Sequence, residues 1–193
     1  ETAREPTSRP LRSLVAEAQK GAYEIEGLLC VDPLETAADK LSALAWRTHS
    51  RDRNDPDDDP TVVRHLHDLA ALASMTEDNF EFAALVLQIL DADAPRAKDP
   101  AIDGIGLLNR MLPKVTTDAL WRAEYEKFVS EVSYAPPDEL IDFDMAVTRC
   151  QRIVDFVASR NAAIAAANAL LQNSNRPTLG GLSIKELIND GRR

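Results

Sequence analysis

The chain has 193 residues, a formal charge of −10, seven glycines and 5% aromatic residues. At that length a single chain buries roughly 70% of its unfolded surface, and an alanine- and leucine-rich, glycine-poor composition excludes a sheet-dominated fold, so the expected class is mainly α (α+β). The acidic balance excludes general attraction to phosphate backbones or anionic membranes, the distant Cys30 and Cys150 exclude a disulfide framework or zinc knuckle, and no apolar run reaches the ~18 residues of a membrane span.

Residues 1 to 20 read as an extended or irregular lead-in, with Pro6 and Pro10 blocking regular helix, although "LRSLVAEAQK" can form a short one. "YEIEGLLCV", residues 23 to 31, alternates and then turns apolar, which makes it the best strand in the chain. A helix is expected from Pro33 to about His49, because proline suits a first turn and Leu34, Ala37, Ala38, Leu41, Leu44 and Ala45 recur at helical spacing. That stripe predicts one buried face. Lys40 lies beside it, and Arg47 shares the side of Lys40.

"RDRNDPDDDP", residues 51 to 60, has two prolines and no apolar residue and reads as a solvated loop. Thr61 then opens a second helix with Val63, Leu66, Leu69, Ala70 and Ala73 as its stripe. Further helices are expected at about 78 to 91, 102 to 112, 117 to 133 and 138 to 172. The tail reads as a linker, "NSNRPTLGG", followed by an S-x-x-E capping box, "SIKE", that opens a short amphipathic helix with Ile184, Leu187 and Ile188 apolar. Three segments follow: 1–32 as a strand segment, 33–172 as a helical domain, and 173–193 as linker and terminal helix. A helix so short is marginal alone, so the tail must dock on its own domain, on a second copy in a homo-oligomer, or on a partner protein.

Little chemistry stands out from spacing alone. His65 and His67 diverge by about 200° on a helix, which argues against a shared metal. The Asp-x-Asp pairs Asp91/Asp93 and Asp142/Asp144 fall in or beside helices, where solvated acids are the expected reading. The phosphate-loop, dinucleotide and nucleophile-elbow patterns are missing. Arg64 and Asp68, at i and i+4, read as an exposed intrahelical ion pair, and Lys40 as a surface lysine beside its stripe.

Two motifs in order change that weighting. "VDPLETAADKLSALAWR", followed after the loop by "RHLHDLAAL", resembles the third and fourth motifs of the AbiEii-type nucleotidyltransferase toxins, in which a helix of the E-K-L-x-A-L kind precedes one of the R-D-L-Y-D-L kind. "LWRAEYEKFV" and "FDMAVTRCQRIVDFV" are similar to the helices that close such proteins, so the resemblance runs from about Leu14 to about Val157. It implies that Lys40 grips nucleotide phosphates, that Asp68 helps deprotonate the acceptor, and that Arg64 and Arg47 assist in binding the nucleotide. The chain departs from the pattern with Asp39 in place of a glutamate and His65 in place of an acid.

A larger departure is the lack of the family's first two motifs, a Gly-Ser turn and an R-x-S-x-D-x-D strand that carries the magnesium-binding carboxylates. The resemblance therefore implies roughly the C-terminal two-thirds of a longer bacterial enzyme, with strand 23–31 a remnant of its sheet and magnesium held by ligands outside this stretch, which would be inactive alone. The implied reaction moves a nucleoside monophosphate from an NTP (ATP or GTP) to an acceptor, with tRNA a candidate, in a cytoplasmic toxin–antitoxin or phage-defence system with a cognate antitoxin. An RNA acceptor would need Arg47, Arg51, Arg53 and Arg64 to form a local basic rim. The alternative is a non-catalytic helical module that binds a partner protein in a groove between helices.

Overall fold

The computed structural model describes residues 4–132, 135–136 and 138–174. The tail helix expected over 183–193 lies outside the described residues. Among them the order is β1 (Thr7–Leu11), α1 (Leu14–Ala18), β2 (Ile25–Cys30), α2 (Pro33–Ser50), α3 (Val63–Ala71), α4 (Ala73–Thr76), α5 (Phe80–Asp93), α6 (Gly104–Thr117), α7 (Ala119–Val132) and α8 (Phe143–Ser174). Mainly α, with one small sheet, is the class the structure has.

The sheet is a two-stranded antiparallel hairpin in which Thr7 faces Cys30 and Arg9 faces Leu28. Of the extended or irregular lead-in expected there, residues 7–11 take the extended form as β1. TSRPL carries no alternation of its own and becomes a strand only by pairing with β2. The register shifts between Arg9 and Leu11, where Pro10 has no N–H to give to the ladder. Every residue of β1, and all of β2 except Cys30, is exposed.

Asp32 starts α2 by accepting a hydrogen bond from the Leu34 backbone N–H, and Pro33 occupies the first turn. α2 is the central helix, packed against α3, α5 and α6. That position buries more than the single face the stripe predicts. Ala37, Ala38, Leu41, Leu44 and Ala45 are inaccessible, and Glu35, Ser42 and Thr48 are buried with them. The alanines let neighbouring backbones approach, and each fully buried leucine contributes about 1.5–3 kcal/mol. The core continues through Leu66 and Leu69 of α3, Phe82 and Val86 of α5, Leu107, Leu108 and Met111 of α6, Tyr125 of α7 and Ile153 of α8.

Two helix boundaries differ from expectation for local reasons. The single helix expected after Thr61 is a 3-10 turn, Pro60–Val62, followed by α3 and the one-turn α4, and Asp59 accepts from the Thr61 N–H at its start. α6 does not stop at Leu112 but carries Pro113 inside it to Thr117. A mid-helix proline costs about 3 kcal/mol. The extra turn buries Val115 completely and lets Lys114 Nζ donate to the Thr48 and His49 carbonyls at the end of α2. Gly104 opens α6 where a Cβ would come within 2.7 Å of the Leu90 backbone, so the close contact of α5 and α6 requires glycine.

The chain divides into two units, residues 1–158 and 159–193. The first holds the core. In the second, the described residues continue α8, and its side chains are exposed from Ala162 to Gln172. No helix among the described residues is long and apolar enough to cross a membrane.

Candidate active site

The packing of α3 onto α2 brings Lys40 and Asp68 together. Lys40 Nζ donates to Asp68 Oδ2 at 2.5 Å, joining residues 28 apart in sequence. The two side chains keep 25% and 35% of their surface exposed, so the pair is partly desolvated yet open to a ligand. This replaces the intrahelical pair expected between Arg64 and Asp68. Arg64 instead donates to Thr61 Oγ1 at 3.0 Å and lies 3.9 Å from Asp59.

On its other side Asp68 meets His67, whose Nδ1 is 3.8 Å from Asp68 Oδ1. Burial pushes the Asp68 carboxyl upward, but His67 and Lys40 outweigh it and hold the group below its ordinary value. The His67 ring packs edge-on to Phe128, with centroids 5.7 Å apart, and lies 6.1 Å from Tyr125. Tyr125 is itself anchored where its hydroxyl donates to the Ile141 carbonyl at 2.9 Å. Arg149 of α8 donates to the Ala70 carbonyl at 3.0 Å and braces the end of α3.

His65 is buried on the inner side of α3, and neither ring nitrogen has a hydrogen-bond partner. Burial is the main reason its imidazole is lowered to about 4, and the charges of Lys40, Arg64 and Arg47 lower it further. The three cations expected to bind nucleotide thus surround one neutral ring. Of the three, Lys40 alone pairs with Asp68. Arg47 pairs with Asp59 at 3.3 Å, stacks over Trp46, and lines a cleft of about 300 Å³ shared with Arg96 and Lys98.

The expected basic rim is neutralised. Arg51 is bonded to Asp58 and Glu124, and Arg53 to Asp118 and Glu124. Three carboxylates of the Asp-x-Asp pairs do structural work: Asp93 accepts from Ser42 and pairs with Arg96, Asp142 accepts from the Met145 N–H, and Asp144 pairs with Arg122. Among the described residues no group of three or more His, Cys, Asp or Glu side chains could hold a metal ion. Both cysteines are free thiols, and burial pushes Cys150 up to about 12, which makes it inert. His67 is a candidate-site residue that the sequence did not single out; its signals are its place next to Asp68 and its position where the R-D-L-Y-D-L pattern has a tyrosine.

The site is therefore a half-open ammonium–carboxylate pair held between two packed helices, with an imidazole beside it and two further cations nearby. The model of the AbiEii nucleotidyl transferase toxins of type IV toxin–antitoxin systems matches residues 1–149, and the chain belongs to that family. No curated protein and no solved structure matches the chain. The family is one of toxins of type IV toxin–antitoxin systems, which suggests an antitoxin as partner.

Proposed function

We propose that this chain supplies the lysine–aspartate side of a nucleotidyl-transfer site, moving a nucleoside monophosphate from an NTP to an acceptor in which tRNA is the first candidate, as the toxin of a phage-defence pair. The observation that carries the reading is the 2.5 Å contact of Lys40 with Asp68, because the two residues matched to the family motifs are brought together only by tertiary packing. An incoming phosphate competes with Asp68 for the Lys40 ammonium, and Arg64 and Arg47 add positive charge around the same place. Asp68, released from Lys40, serves the acceptor side.

Magnesium, expected from the family, finds no fitting ligand set among the described residues. Asp68 is charge-compensated by an ammonium, and Asp93, Asp142 and Asp144 of the Asp-x-Asp pairs are engaged elsewhere. The test is transfer of label from α-labelled NTPs to total tRNA by the natural protein, compared with its Lys40→Ala variant. Loss of transfer in the variant supports the reading, and transfer at the wild-type rate by Lys40→Ala overturns it.

A further inference from the structure

On the reading just given, we propose that His67 is the catalytic residue that takes the proton from the acceptor hydroxyl, with Asp68 as the positioning residue that orients its ring. Asp68 by itself is a poor proton acceptor here. Its Oδ2 is bonded to an ammonium and its proton affinity is lowered by both neighbours. An imidazole is the side chain best matched to proton transfer near neutral pH.

The surroundings of His67 suit the role. Nδ1 lies 3.8 Å from Asp68 Oδ1, which directs Nε2, on the far edge of the ring, away from that carboxylate. Phe128 and Tyr125 of α7 hold the ring from the side. The charged or titratable groups near it are Lys40 from α2, Asp68 on its own helix, Tyr125 from α7 and, bracing α3 from α8, Arg149. The long Nδ1–Oδ1 separation belongs to a state in which Lys40 holds the carboxylate. When a nucleotide phosphate takes over the ammonium, the nearest donor left to Asp68 is His67, and such contacts commonly tighten in the substrate complex.

The step balances. The acceptor oxygen attacks the α-phosphorus of the NTP while its proton passes to His67 Nε2. The bond from the α-phosphorus to the bridging oxygen breaks, and pyrophosphate leaves with the electron pair. The nucleoside monophosphate ends on the acceptor, and the proton is returned to water after release.

Two measurements test this. In labelled-nucleotide transfer by the natural protein, His67→Phe keeps the ring contacts but has no base, so kcat is expected to fall roughly 10²–10⁴-fold with KM for the NTP little changed, and the acid-side fall of the pH–rate profile should vanish. A rate within about threefold of wild type overturns the proposal. A wild-type protein that transfers nothing, or a Lys40→Ala variant as active as wild type, instead sinks the underlying reading. The orientation is tested without turnover by nitrogen-15 shifts of the imidazole: the neutral ring should carry its proton on Nδ1, and Asp68→Asn should return it to Nε2. A wild-type ring protonated on Nε2 refutes the role of Asp68.

Discussion

Arg51 and Lys40 are both cations of the central helix and its cap, and each meets a carboxylate brought from another part of the chain, yet they do opposite things. Arg51 is clamped. Its guanidinium makes two 2.7 Å bonds to Asp58 and bonds of 2.8 and 2.9 Å to Glu124, lies 4.9 Å from the Trp121 ring centre, and is only 7% exposed. The Asp58 carboxylate, and Glu124 beyond it, raise the guanidinium above its ordinary value despite burial. Lys40 makes one contact to one oxygen and stays open to solvent. A planar fork filled by two carboxylates resists exchange, whereas a point charge with a single partner can trade it for a phosphate. The first arrangement builds structure and the second leaves a site available.

Breaking the clamp should have the largest effect. Arg51→Ala strands Asp58 and Glu124 in partly buried positions and frees the acidic loop from α7, for an expected loss of about 3–5 kcal/mol in urea unfolding. Nucleotide binding at Lys40 should survive where the variant is folded. Breaking the open pair should reverse that pattern. Lys40→Ala should lower nucleotide transfer roughly 10²–10³-fold, about 2.7–4 kcal/mol of transition-state stabilisation, with little change in the unfolding midpoint. A variant that loses stability instead would make Lys40 a second clamp.

His65 sharpens the comparison through pH. The unfolded chain takes up a proton near 6.5 and the folded one only near 4, so the unfolded state binds more protons between those values. Stability is full above about pH 6.5 and should drop by up to about 3 kcal/mol as pH falls to about 4. Asp58, Asp68 and Asp118, all held below their ordinary values, extend the loss at lower pH as they are protonated. His65→Leu removes two unpartnered buried nitrogens and should flatten the profile between pH 4 and 6.5 in thermal melts. An unchanged slope would locate the effect elsewhere. The smallest change is expected at an ion pair of neither kind: Lys127, 73% exposed and 3.9 Å from Glu131, should cost less than about 0.5 kcal/mol when replaced by alanine.

The central helix was legible because Asp32, Pro33 and the alanine–leucine stripe signal a start and a buried face within one segment. The family motifs were legible as strings at Lys40 and Asp68. The pairing of those two residues was not, because the best local partner for Asp68 was Arg64, one turn away on the same helix, and only the packing of α3 on α2 offers Lys40 instead. The loop 51–60 misled for the same reason. Its arginines and aspartates look solvated until α7 supplies Glu124 and the Trp121 ring and the cap of α6 supplies Asp118. β1 was legible only as extended or irregular chain, because its strand pairing is lent by β2.

The amino-acid sequence by itself determined what short-range physics can decide: helices from period and caps, the absence of a membrane-length apolar run, and the motif order that marks the family. Tertiary structure alone decided which charges are neutralised and which stay open. A charge takes the partner that is nearest in space after packing, and a local pattern carries no information about carboxylates that arrive from tens of residues away. That is why Arg51 becomes part of the frame while Lys40 and Asp68, with His67 beside them, form the open pair on which the proposed site rests.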